Sequence, residues 1–357
     1  MTGDVSTARA SSGVGALRSR IAPLAKSVLL RGGGYRAVRR LLPSRQAGIL
    51  RYHAICGEEG YAYAAPGICI SPAAFERHVR YLAANYTVLP LPEVVDYLGR
   101  ARTLPRNTVA ITFDDGYADN LEAARTLHRH GLTATFYLTA GCLADGEPFW
   151  PSEIRWLVPA VAGPVLRIVP DGPPVELSVT TAENREVAIR TLTRLFKSRP
   201  IPVREAMREQ LRRAANAPAE SRFMLRWDEV AEMQRLGMTI GAHTMTHPNL
   251  PSAGLDAARQ EIIGAKARLE RELAARVTMF SYPNGGAERY ETPELRRVVA
   301  DAGYAAATTS RNAFAGAGSD LYALERIEVE ERLEDLVFAL EVERFAFKPK
   351  PRTEQAG

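Results

Sequence analysis

Val109-Ala110-Ile111-Thr112-Phe113-Asp114-Asp115-Gly116-Tyr117 runs from an apolar stretch straight into two adjacent carboxylates and a glycine. An apolar run of this length, ending at a Gly corner, reads as a buried strand. Neighbouring strand residues point to opposite sides, so the two acids can do different work. One can bind a metal and the other can take a proton. Without a cation nearby they would repel and raise each other's pKa, which a metal would explain. A solvated Asp-Asp-Gly turn is the plain alternative.

The same pattern recurs along the chain. Short apolar runs lie at residues 48–53, 108–113, 133–139, 238–243, 277–282, 304–308 and 323–327. A shorter run at 87–89 is either an eighth strand or lies outside the sheet. Helix-period segments fall between them at 72–84, 92–100, 119–130, 227–236, 255–275, 292–302 and 333–343. Strands alternating with helices imply a parallel sheet, and seven such units predict a closed or nearly closed β/α barrel. Its acids would then sit at the carboxyl end of a strand, where such folds place their chemistry. Residues 145–222 break the rhythm with a Pro/Gly-rich piece (158–174) and two polar helical patterns (182–197 and 203–215). They read as a helical insertion over one barrel end. The expected organisation is a basic N-terminal extension (1–45), a barrel domain (46–345) with the insertion, and a disordered Pro- and Lys-rich tail (346–357).

Composition bounds the function classes. With 46% hydrophobic and 24% charged residues, the 357-residue chain matches an ordinary globular protein. No apolar run is long enough to cross a bilayer. The net charge of +5 is uneven: residues 1–45 hold nine Lys or Arg against Asp4 alone, which is +8 and leaves −3 for the rest. A nucleic-acid-binding fold would carry its basic patch on the body, so no nucleic-acid partner is expected. Lys26 interrupts the apolar stretch 21–30, which makes a poor secretion signal. The leader reads either as a disordered tail with a packing helix or as a basic segment touching an anionic membrane surface. Cytoplasm, or the cytoplasmic face of a membrane, is the expected compartment. Cys56, Cys69 and Cys142 form no CxxC pair and read as free thiols or small buried apolar groups.

A second polar cluster follows another strand-like run: Gly241-Ala242-His243-Thr244-Met245-Thr246-His247-Pro248. Two histidines four apart can turn to one side and grip a metal, although the spacing also arises by chance. With Asp115 they make a two-His, one-carboxylate set with open positions, which suits catalysis more than a closed structural site. The other histidines read differently. His128 and His130 close a helical pattern and are expected in solvent, and His78 is expected on a helix surface.

The Thr112–Gly116 motif, the His243–His247 motif and a downstream Phe280-Ser281-Tyr282-Pro283-Asn284-Gly285 resemble the polysaccharide deacetylases of the NodB-homology type, carbohydrate esterase family four. The resemblance spans about residues 48–330. It implies a distorted (β/α)7 barrel, Asp114 as catalytic base, and Asp115, His243 and His247 as ligands of a divalent metal, usually zinc. The substrate would be an N-acetylated glycan, with acetate and a free amino sugar as products.

Two departures from the family pattern matter. The usual acid histidine near the end of the domain is missing, because no histidine follows His247. His53, at the end of the first strand, is the candidate acid instead. This resembles the subset whose last motif has moved to the N-terminal side, which a closed barrel permits. The usual arginine that tethers the base is also absent, and Ser281 or a neighbour stands there. Arg326 is a candidate substitute, although a surface salt bridge would explain it equally well. Tyr117, Tyr282, Asn284, Arg326 and Trp150 are the candidates for substrate or oxyanion contact. The same site would also suit an O-acetyl esterase or a non-sugar amidase, and a non-catalytic glycan-binding relative is the alternative outside enzymes.

Overall fold

The computed structural model describes residues 23–144, 146–216, 222–285 and 290–345. The expected disordered tail and the first half of the leader lie outside them. Its parallel sheet contains β1 (Ala47–Tyr52), β2 (Thr87–Val88), β3 (Thr108–Phe113), β4 (Thr135–Leu138), β7 (Thr239–Ala242), β8 (Met279–Ser281), β9 (Ala306–Asn312) and β10 (Leu324–Glu328). A separate hairpin is formed by β5 (Val165–Ile168) and β6 (Val175–Ser178). The helices are α1 (23–31), α2 (Gly34–Leu41), α3 (Pro72–Asn85), α4 (Leu91–Gly99), α5 (Asn120–Arg129), α6 (Trp150–Leu157), α7 (Ala182–Lys197), α8 (Ile201–Ala214), α9 (Trp227–Arg235), α10 (Leu250–Ala253), α11 (Leu255–Leu273), α12 (Pro293–Asp301) and α13 (Leu333–Glu341).

Seven strands close a distorted (β/α)7 barrel in the order β1-β3-β4-β7-β8-β9-β10, and β10 returns to β1. β1 pairs along the whole of β3, from Ala47↔Thr108 to Tyr52↔Phe113. The other edge of β3 is divided. β2 takes its start at Thr87↔Thr108, and β4 takes its end at Thr112↔Thr135. The 87–89 run is thus a two-residue eighth strand in the sheet, outside the closed ring. First and last strands are neighbours, so residues from both chain ends of the domain meet at one barrel mouth.

Alternate strand residues point inward. Ile49, Ala110, Tyr137, Met279, Ala306 and Leu324 form one buried cluster. Gly241 makes room for it, since a Cβ there would stand 2.5 Å from the Tyr137 ring. A larger cluster of apolar side chains joins strands to helices, including Phe75, Val79 and Leu82 of α3 and Ile262, Ala265 and Leu269 of α11.

The structure corrects two expectations. His78 is fully buried, and its Nδ1 lies 3.2 Å from the Tyr52 hydroxyl. The strand tyrosine partners one nitrogen of this ring in the apolar stripe of α3, and the ring does not face water. The insertion also holds more regular structure than its composition indicated. The Pro/Gly-rich piece contains the β5–β6 hairpin, which packs with α6, α7 and α8 around Trp150, Leu166, Leu192, Phe196 and Leu211. Only one face of β5 is buried, and Pro-Gly flanks disguise so short an alternation. His128 is exposed as expected, and His130 is half-buried against Glu76, 2.8 Å away.

Candidate active site

The two carboxylates stand where β3 leaves the sheet. Asp114 N–H still donates to Tyr52 O across the strand pair (3.0 Å). The backbone then turns left-handed, with φ +76° at Asp115 and +94° at Gly116. At Gly116 this is a conformation that glycine adopts at no steric cost. At Asp115 it is strained, and strain of this kind concentrates at functional sites. Thr244, His247 and Asn284 also have positive φ, so four of the eight such non-glycine residues among the described residues stand at this one mouth.

His243 extends β7, its N–H donating to Leu138 O (2.9 Å). Its Nδ1 lies 2.8 Å from Ser281 O. A carbonyl has no proton to give, so Nδ1 carries it and Nε2 is left with a lone pair. The loop that follows is pinned by Glu261 of α11. Its carboxylate accepts the N–H groups of Met245 and Thr246 (both 2.8 Å) and the Thr246 hydroxyl (2.7 Å). His247 N–H donates to Thr244 Oγ1 (3.0 Å), which completes the turn. Nε2 of His243 and of His247 then lie 3.5 and 3.3 Å from the same Asp115 oxygen.

This geometry fits a metal. Bonds of about 2.0–2.1 Å at tetrahedral angles put donor atoms about 3.4 Å apart. All three residues are buried, and together they form a candidate metal-ligand group. Burial pushes His243 down to about 4 and His247 down to about 3, so both rings are neutral and can ligate. Burial also raises Asp115, which makes an uncompensated carboxylate costly there.

Asp114 is held differently. Arg326, from β10, is 1% exposed and grips it with both terminal nitrogens, Nη1 to Oδ1 at 2.7 Å and Nη2 to Oδ2 at 2.6 Å. Burial opposes ionisation of Asp114, but the Arg326 guanidinium outweighs it and holds the carboxyl below its ordinary range. The guanidinium also donates to Ser281 Oγ (3.1 Å) and to Thr309 O (2.8 Å). It fills the space that the short side chain of Ser281 leaves open, and no surface salt bridge is involved.

His53 follows β1, and its Nε2 is 3.9 Å from Asp114 Oδ2. Its carbonyl accepts from Asn120 Nδ2 (2.8 Å), so the start of α5 fixes the loop. Burial lowers the ring to about 4, opposed by Asp115 and Asp114. His53, the two aspartates, the two histidines, Tyr117 and Asn284 all line one open cavity of about 550 Å³. Tyr117 packs edge-on against Phe149. Asn284 is anchored by Ser310 Oγ, which donates to its carbonyl (2.6 Å), and by its own Nδ2, which donates to Pro248 O (3.2 Å).

Two candidates do not reach the cavity. Tyr282 is buried, its hydroxyl donates to Tyr322 O (3.1 Å) and its N–H to Thr308 O (3.1 Å). Strand parity turns it outward into the layer between sheet and helices, against Phe280, which in turn packs on Tyr304. Trp150 is buried in the core of the insertion, and its Nε1 donates to His247 O (3.1 Å). It supports the loop carrying His247 and offers no face to the cavity.

Sequence reading missed other residues. Glu261 lies in the buried stripe of α11 with Ala258, Ile262, Ala265 and Leu269, and an acid in an apolar stripe is a usable signal. Arg51 lines the cavity one strand pair from Arg326 and reaches Glu328 (3.1 Å). Ile189, Thr193 and Lys197 of α7, four apart, present one helix face to the cavity, so the insertion forms part of its wall. A cation at a helix end is too common to have singled out Lys197.

The profile of the polysaccharide deacetylase family matches residues 101–307, more than half of the chain. That span includes both carboxylates, both histidines and Asn284, whereas His53 and Arg326 lie on the flanking first and last strands. The fold is similar to that of the deacetylase PplD of Streptococcus pyogenes, solved in complex with acetate (19% identity, TM-score 0.55, 84% of this chain and 99% of that one). It is also similar to IcaB of Ammonifex degensii (17% identity, TM-score 0.55, 84% and 97%). A polysaccharide deacetylase of Bacillus cereus is similar over 84% of this chain and 69% of its own (19% identity, TM-score 0.51). A comparison with curated protein sequences finds no match.

Proposed function

The chain belongs to the polysaccharide deacetylase family, and from that premise we propose that it is a metal-dependent hydrolase of N-acetyl groups on a glycan, with Asp114 as base and His53 as acid. One observation carries the reading. A carboxylate locked by a buried arginine stands beside a separate Asp/His/His donor set in a single open cavity. The donor set would hold a divalent cation, zinc in this reading, supplying Lewis-acid polarisation of the acetyl carbonyl and water with a pKa lowered toward about 7.

The protein residues account for the rest. Asp114, ionised and fixed by Arg326, takes the proton of the attacking water. Arg326 keeps both carboxylate oxygens in place without contacting substrate. Asn284, whose main chain is anchored at the cavity wall, is the candidate to meet the acetyl oxygen through a backbone N–H. An amine is a poor leaving group until protonated; His53, neutral at rest, would take up the proton that neighbouring Asp114 removes from water (Nε2 to Oδ2, 3.9 Å) and deliver it to that nitrogen. The products are acetate and a free amino sugar.

Acetate release from matched N-acetylated and O-acetylated oligosaccharides tests the reaction class. Hydrolysis of the amide supports the proposal, and hydrolysis of the ester alone favours an esterase. In the same assay His53→Ala is expected to lower kcat about 10²-fold or more on the amide. Ester cleavage, with a better leaving group, should suffer less. A variant with wild-type kcat on the amide would remove His53 from the mechanism.

A further inference from the structure

Helix α1 turns its polar side inward. Lys26 Nζ pairs with Asp335 of α13 (2.8 Å) and lies over the Phe338 ring (4.3 Å). Ser27 Oγ donates to Glu334 (2.7 Å). The outward side carries Leu24, Ala25, Val28 and Leu29, with Leu24 68% and Val28 62% exposed. A helix that only completed its own fold would bury that stripe.

A second group of exposed apolar side chains lies at the other end of α13. Leu41 (79% exposed) ends α2 and Leu42 follows it, and Arg344 Nη2 donates to Leu42 O (2.5 Å), which brings the chain carrying exposed Phe345 near them. Six of the twelve exposed large apolar side chains among the described residues therefore belong to this one region. Concentration of this kind marks an interaction surface, whereas scattered exposure does not.

The charge around the patch identifies its occupant. Arg31, Arg36, Arg40 and Arg45 are exposed there. Three nearby acids are engaged internally, Asp335 by Lys26, Glu334 by Ser27 and Glu341 by Arg39 (2.9 Å), and Glu343 is half-buried beside the Lys26 cavity. A second copy of the chain would set these arginines against each other, which disfavours a homotypic contact. Exposed aliphatic side chains among cations suit the boundary between acyl chains and anionic headgroups. No helix among the described residues is long and apolar enough to cross a membrane, so such contact would be peripheral.

We infer that the outward face of α1 and α2, with Phe345, docks the protein on an anionic lipid surface. The site is close to that surface. Lys26 lines a cavity of about 490 Å³ that shares Asn312 and Glu328 with the catalytic cavity. The α1 end of the face is thus the part nearer the barrel mouth.

Flotation of the full chain with vesicles tests this. Phosphatidylcholine vesicles containing about one-third phosphatidylglycerol should carry roughly tenfold more protein than phosphatidylcholine alone, less so at high salt. The double variant Leu24→Ser/Val28→Ser should lose roughly tenfold in binding with an unchanged thermal melt, because both side chains already face solvent. Leu41→Ser/Leu42→Ser serves as an independent second variant. Equal binding to both vesicle types, no binding, or full binding by both serine variants would overturn the inference. So would a dimer in sizing experiments that the serine variants dissociate, since the face would then join two copies.

Discussion

Replacing Asp114 with Asn is expected to lower kcat on an N-acetylated oligosaccharide about 10²–10⁴-fold while bound metal stays at the wild-type level. The amide keeps the shape of the carboxylate but cannot take a proton from water near neutral pH. The metal side should survive because it is anchored elsewhere. His243 is fixed on Ser281 O, and the loop carrying His247 is fixed on Glu261. Acetate release and metal content per chain measure the two halves separately. Loss of metal along with turnover would mean that the two aspartates cannot be assigned separate roles.

Arg326→Met is expected to have the largest effect on stability, about 3–5 kcal/mol in denaturant unfolding, because it leaves the buried Asp114 charge uncompensated. It should also change the pH dependence. In the native protein the arginine outweighs burial, so Asp114 is ionised throughout the neutral range. Without it, burial raises the carboxyl, and residual activity should climb with pH as the group ionises. Arg326→Lys restores the charge but not the two-pronged grip, so partial recovery of the profile is expected. An unchanged pH profile with lost stability would assign Arg326 a structural role only.

Continuous apolar runs made the barrel legible. The predicted 108–113 strand is reproduced in full, and the other strands of the ring differ by one or two residues at most ends. The exception is β9, which runs on through Ser310, Arg311 and Asn312. Those polar residues line the cavity, so their sequence does not read as strand. That Asp114, Asp115, His243 and His247 would meet at one mouth was legible because each motif directly follows an apolar run. Long-range geometry was not. Arg326 could be read as a surface ion pair until β10 placed it 212 residues away from its partner in sequence. Strand parity excluded Tyr282 from the site, and the separate core of the insertion took Trp150. The inward polar side of α1 could not be foreseen either, because it depends on acids presented by α13.

The most direct test is acetate release from an N-acetylated oligosaccharide by protein stripped with a chelator and then titrated with zinc. Stripping is expected to abolish turnover, and activity to return to a plateau at one equivalent per chain, with His243→Ala failing to recover. Undiminished turnover by fully stripped protein would contradict metal dependence.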